Sequence, residues 1–238
     1  MPRINFQQQL VALKDKLLAM AALSQQALEF SVEAYLNRDE SLSNHVRELE
    51  AAINAAETSV DEMAYELLAK EQPMAIDLRF ILSVIKINGD LERIGDQATN
   101  IASRAIAAGP IQPEVAASCH PVDIKTMGGK VGVMIRRAIQ ALLEGDSRLA
   151  ESVLEMDNEI DDMNRIIQRE LVDCMQHHPL AAEQSLNTII ISRNLERAAD
   201  HATNIAEDVI FWVRGNDVRH KFSMLNMESV EDRNLPIV

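Results

Sequence analysis

The chain has 238 residues, 47% of them hydrophobic and 3% aromatic, with 8 glycines, 7 prolines and a formal net charge of −14. That balance argues against sequence-independent nucleic-acid binding, which needs clustered Lys and Arg against phosphates and aromatic rings against bases. So few punctuating residues among so much Ala, Leu, Ile, Glu and Arg predict an almost wholly helical protein, long enough for one large domain or two small ones.

Phe6, Leu10, Leu13, Leu17 and Met20 recur in 4-3-4-3 steps and predict a first helix over residues 6–37. Asp39 reads as the N-cap of the next helix. Leu42, Val46, Leu49, Ile53, Val60, Met63 and Leu67 carry the same register along it. It must end before Pro73, because proline bars the helical state for its predecessor. A third helix is expected over residues 74–107, and GPIQPEVAASCHP at Gly109–Pro121 reads as the connection between two domains.

The second half repeats the plan. A helix over residues 124–144 precedes Asp146, which caps the next helix as Asp39 does. Leu149, Val153, Met156, Ile160, Met163 and Ile167 form its stripe, and His177–Pro179 marks a turn. A last helix is expected over residues 180–214, stopped by Gly215, with residues 216–238 as a loosely held polar tail. The halves align at a shift of 107 residues in their middle helices and 104 in their last ones. This is an internal duplication. The fold class is therefore all-α: two tandem antiparallel three-helix bundles, over residues 1–108 and 122–215, lying side by side or end to end.

One sentence of sequence is written twice. LERIGDQATNIA at Leu91–Ala102 and LERAADHATNIA at Leu195–Ala206 agree at nine of twelve positions. Glu92 and Asp96 share a helical face, as do Glu196 and Asp200, and each pair lies at the rim of an apolar stripe. On the preceding helices Asp157 and Asp161 stand likewise, aligned with Glu50 and Asn54 of the first half. Folding the second hairpin about His178–Pro179 brings its four carboxylates to one level. Folding the first about Gln72–Pro73 matches Glu50 and Asn54 to Asp96 and Glu92 within a residue.

Carboxylates so gathered repel one another unless a positive charge sits among them. A bound cation supplies it, and an all-oxygen site suits hard or borderline metals. The alternative is a solvated acidic rim pairing with arginines such as Arg93 and Arg197. His201 reads as an exposed helical histidine, with a nitrogen ligand as the other reading. Thr99–Asn100 and Thr203–Asn204 either hydrogen-bond the carboxylates or form a polar helix edge. Gly95 and Ala199 read as points of close helix approach. There is no Glu-x-x-His, no phosphate-binding glycine loop and no hydrolase signature, so the reading is not an enzyme. Cys119 and Cys174 form neither a CxxC nor a disulfide framework, which fits a reducing compartment. The first residues have no apolar signal core and no run approaches a membrane span, which together predict a cytosolic protein.

These motifs make the chain resemble the PhoU family of phosphate-uptake regulators. The resemblance spans nearly the whole chain and is strongest at LERIGDQATNI, NLERAADHATNI, the DLR of Asp77–Arg79 and WVRGNDVRH at Trp212–His220. It implies two three-helix bundles and, as candidate metal ligands, Glu50, Glu92 and Asp96 in the first half and Asp157, Asp161, Glu196 and Asp200 in the second. Asn54 departs from the acidic pattern. The implied cofactors are divalent or trivalent metal ions: iron, zinc, manganese or magnesium. The implied role is negative regulation of phosphate uptake and of the phosphate-starvation response. It would couple the ATPase component of a phosphate ABC transporter to a phosphate sensor histidine kinase. Such proteins are cytoplasmic, often homodimeric, recruited to the inner membrane through partners, and bind no nucleic acid. A metal-carboxylate helical-bundle enzyme and a metal-free structural adaptor stand as the alternative classes.

Overall fold

The computed structural model describes residues 2–107 and 122–216. Six long α-helices occupy them: α1 (Pro2–Asn37), α2 (Glu40–Glu71), α3 (Ile76–Ala107), α4 (Ile124–Glu144), α5 (Ser147–His177) and α6 (Ala182–Arg214). The connection expected at Gly109–Pro121 lies outside the described residues, as do residues 217–238 of the expected tail.

Local chemistry sets where these helices begin. Asp39 Oδ1 accepts from the amides of Ser41 and Leu42 at 2.8 and 3.3 Å, and Asp146 Oδ1 from those of Arg148 and Leu149 at 2.8 and 3.1 Å. Each satisfies amides that a helix start leaves without partners. The same turn precedes both caps. Arg38 and Gly145 sit in the left-handed region at φ 54° and 64°, and the amides of Asp39 and Asp146 each reach back 3.0 Å to Ala34 and Ala141. Glycine takes that conformation freely, whereas an L side chain there carries strain. Three starts differ from expectation, the first being that of α1, which begins at Pro2 rather than at residue 6. Residues 74 and 75 belong to the α2–α3 turn, where Ala75 has φ 50° and the Met74 carbonyl accepts from Asp77. Pro179–Ala181 forms a 3₁₀ turn ahead of α6.

The predicted stripes are the core. Phe6, Leu10, Leu13, Leu17 and Met20 are buried on α1, and Val46, Leu49, Ile53, Val60 and Leu67 on α2. Val153, Ile160 and Ile167 are buried on α5, and Leu149, Met156 and Met163 pack against the core from its margin. Helices α1, α2 and α3 pack together as one bundle and α4, α5 and α6 as the other. The bundles lie side by side, because α3 packs on α6 and α1 on α4, and a single apolar core runs through both.

α3 and α6 run antiparallel. Arg79 Nε donates to the Trp212 carbonyl at 3.2 Å, Ser83 Oγ to the Asp208 carbonyl at 3.0 Å, and His201 meets Asp90 at 2.8 Å. Numbers rise along one helix as they fall along the other. Since α3 and α6 are equivalent helices of the duplication, the two bundles are related by an internal pseudo-two-fold. Its midpoint falls at Arg93 and Arg197, within the repeated acidic sentence.

Cys174 is buried near the end of α5, where Ser185 Oγ of α6 lies 3.8 Å from its Sγ. Cys119 lies outside the described residues.

Close approach between bundles generates a paired test. A Cβ on Gly128 would meet Val32 Cγ2 and Cγ1 at 2.9 and 3.0 Å, against a stiff β-branched side chain, while one on Gly129 meets nothing within 4 Å. Gly128→Ala should lower stability by roughly 1–3 kcal/mol through overpacking. Gly129→Ala should raise it by about 0.5–1 kcal/mol through helix propensity. Urea denaturation of both variants measures the contrast, and equal shifts would contradict the packing.

Candidate functional site

The second hairpin is pinned by a buried hydrogen bond. Ser192 Oγ of α6 donates to Asn164 Oδ1 of α5 at 2.9 Å. One turn further from the His178–Pro179 turn stand Asp161 and Glu196, and one turn beyond them Asp157 and Asp200. The level match expected from sequence therefore holds here, and the four carboxylates feel one another.

The proton affinities of Asp157, Glu196 and Asp200 show it. Burial, then the neighbouring Asp161 and Glu196 charges, push Asp157 up to about 6. Burial, then Glu196, Asp157 and Asp161, push Asp200 up to about 6, with His201 opposing, although Asp200 keeps an exposed edge. Glu196 is raised by burial and by Asp161, opposed by Arg193 and Arg197. Each rise reports first the loss of water around the charged form and then the negative charge of its neighbours.

The first hairpin follows the same plan with a different set of charges. Asn88 Nδ2 of α3 donates to Asp61 Oδ1 and to the Glu57 carbonyl of α2, both at 3.0 Å. Asn88 and Glu57 are the equivalents of Ser192 and Asn164, and their contact keeps the level expected from a fold about Gln72–Pro73. Glu50 accepts from Thr99 Oγ1, one turn beyond Asp96 on α3, at 3.2 Å. Glu92 is raised by burial, then Asp96, and also by Glu57, while Arg93 and His201 oppose. Arg93 lies 3.5 Å from the Glu92 carboxylate and 3.6 Å from that of Asp96. The first repeat therefore brings Glu92 and Asp96 together with a guanidinium of their own.

Sequence reasoning missed Glu57 and Asp90. Glu57 aligns with Asn164, so the two repeats exchange Asn and acid: Asn54 and Glu57 in one, Asp161 and Asn164 in the other. That exchange is visible in the alignment of the halves and is the signal that would have found Glu57. Asp90, aligned with Asn194, accepts from Asn204 at 3.2 Å and pairs with His201. His201 is thus half-buried and bound across the two bundles, not exposed as expected. Thr99 does bond a carboxylate, whereas Thr203 Oγ1 donates to the Asp200 carbonyl at 2.7 Å. Gly95 is a close approach as expected, since a Cβ there would lie 2.9 Å from Ile53 Cδ1.

Four carboxylates at one level supply oxygen donors that suit a hard or borderline cation. As the side chains stand, no three His, Cys, Asp or Glu groups among the described residues converge in metal-holding geometry. A cation held by Asp157, Asp161, Glu196 and Asp200 would need their side chains to rotate from these positions. Among the described residues no helix is long and apolar enough to cross a membrane.

A family model described as the PhoU domain matches residues 17–105 and again 124–209. The phosphate-specific transport system accessory protein PhoU homolog of Pseudomonas aeruginosa is 39% identical over 228 residues, 96% of this chain and 93% of its own length. That of Thermotoga maritima, homolog 1, is 31% identical over 91% of this chain and 92% of its own. The crystal structure of PhoU from Pseudomonas aeruginosa superposes with a TM-score of 0.81 at 38% identity, over 89% of this chain and all of that one. The regulatory protein PhoU from Streptococcus pneumoniae, 23% identical, shares the fold with a TM-score of 0.80 over 90% of this chain and 99% of its own.

The raised aspartates fix a pH dependence. With pKa values of about 6 in the folded protein and about 3.9 in the unfolded chain, the folded state binds the extra protons between those limits. Their contribution to stability is therefore fully present below the lower value and is lost as pH rises through the upper one. In chelator-treated protein, Asp157→Asn should raise Tm more at pH 7.5 than at pH 5. Calorimetry at the two pH values checks this; a lowered Tm at pH 7.5 would contradict it.

Proposed function

The chain belongs to the PhoU family, and from that premise we propose that it is a negative regulator of phosphate uptake and of the phosphate-starvation response. The observation that carries this reading is the match to phosphate-transport accessory proteins over 96% of the chain. Members are named as accessory and regulatory proteins, and catalysis plays no part in the reading. At the cytoplasmic face of the inner membrane it couples the ATPase component of the phosphate ABC transporter to the sensor histidine kinase. It does so as a homodimer that reaches the membrane through those partners.

The second repeat's acidic site is proposed to hold a cation: iron, zinc, manganese or magnesium. Asp157, Asp161, Glu196 and Asp200 would hold it, and the cation would supply the positive charge that this cluster lacks. The α5–α6 hairpin then gains a cross-link between two helices that otherwise repel at this point. The first repeat needs it less, because Arg93 already stands beside Glu92 and Asp96.

Two measurements test these statements. Deleting the gene should release the phosphate-starvation response in phosphate-rich medium, and a response reporter that stays silent would reject the regulatory reading. Glu196→Ala with Asp200→Ala should lower bound metal, measured by elemental analysis, more than Glu92→Ala with Asp96→Ala. Equal losses would remove the asymmetry between the repeats.

A further inference from the structure

Large apolar side chains stand exposed at the same place in both repeats. Met74 and Ile76, at the α2–α3 turn, are 79% and 52% exposed; Leu180 and Leu186, at and just after the α5–α6 turn, are 77% and 54% exposed. At the shift of 104 residues Ile76 aligns with Leu180 and Leu82 with Leu186, and at the shift of 107 Tyr65 aligns with Val172. All six are exposed. A lone exposed leucine needs no explanation, but an apolar cluster at matched positions of a duplicated unit marks a shared contact.

The antiparallel packing of α3 on α6 places the two hairpin tips at opposite ends of the molecule, related by the pseudo-two-fold. From each tip to the midpoint at Arg93 or Arg197 is some 17 residues of helix, so the tips lie about 50 Å apart. Both are rimmed by acid. Residues 61–82 carry five carboxylates against two cations, and residues 166–186 carry three against one. Lys70 is already paired to Glu66, and Arg79 donates to the Trp212 carbonyl.

We propose that the two hairpin tips are equivalent docking surfaces for one protein partner that presents two copies of a basic, apolar-faced helix. Charge complementarity selects this occupant. An anionic lipid surface would be repelled by both rims. A second copy of this chain meeting tip to tip would set acid against acid. The pseudo-two-fold makes both contacts available to a two-fold partner at once, so that binding is bivalent. The inference rests on the transporter reading above and assigns the surface by which that coupling is made.

The probe is the purified ATPase component of the phosphate transporter, with affinity measured by biolayer interferometry. Met74→Glu with Ile76→Glu, and Leu180→Glu with Leu186→Glu, should each weaken binding at least tenfold, and all four together should abolish it. Lysine at the same positions should weaken it more than glutamate. Unchanged helicity and Tm control for folding, which these exposed positions spare. Wild-type affinity in the fourfold variant would overturn the surface assignment, as would tighter binding with lysine than with glutamate. Conversion of a dimer to a monomer in the variants, seen by sedimentation, would assign the tips to a second copy and also overturn it. A wild-type protein that does not bind the ATPase overturns the transporter reading and this inference with it.

Discussion

The antiparallel contact between α3 and α6 is the constraint on which the rest of the molecule depends. Each helix already belongs to its own bundle, so their mutual packing merges two apolar interiors into a single core. Most of the stabilisation comes from that burial, because helices this long have no other way to remove a continuous stripe from water. Polar contacts then fix the register along the seam. Lys86 Nζ reaches Asp208 Oδ1 at 2.9 Å, Phe80 packs on Trp212 at 5.1 Å, and His201 reaches Asp90. Because the two helices are copies of one ancestor, this register also sets the pseudo-two-fold and brings both acidic sentences to the middle of the molecule.

At that middle the repeats have diverged in charge rather than in shape. The second gathers four carboxylates, and burial and mutual repulsion raise the proton affinity of Asp157, Glu196 and Asp200. The first has Asn54 where the second has Asp161 and Glu57 where the second has Asn164, and its Arg93 stands against both acids of its motif. The α1–α2 and α4–α5 turns diverge in the same way, with Arg38 in one and Gly145 in the other at nearly the same φ. Arg38 stacks over the Tyr35 ring at 4.4 Å, and Tyr35 in turn bonds Thr188 of the other bundle at 2.7 Å. A duplicated fold thus supplies its own internal comparison: whatever differs between equivalent positions is not required by the fold.

Much of this was legible in the sequence, for identifiable reasons. Apolar residues in 4-3 steps and aspartates ahead of them report helices and their starts directly, since both act within a few residues. The level of both hairpins was legible because their connections are short and each fold point is marked by a proline, Pro73 in one and Pro179 in the other. Contacts across the seam were not legible. Asp90 and His201 are 111 residues apart, and no periodicity links them. The mismatches in the duplication, Asp90 against Asn194 and Gln97 against His201, were the only trace of that pair in the sequence.

The central claim is that the second acidic site holds unbalanced negative charge within a packed helical hairpin. The direct measurement is a carbon-13 NMR titration of aspartate side-chain carboxyls in metal-free protein, with Asp157 and Asp200 assigned by substitution. The account predicts that both titrate near 6, well above the exposed aspartates, and fall when a divalent cation is added. Titration of both in the ordinary aspartate range, unmoved by the cation, would contradict it.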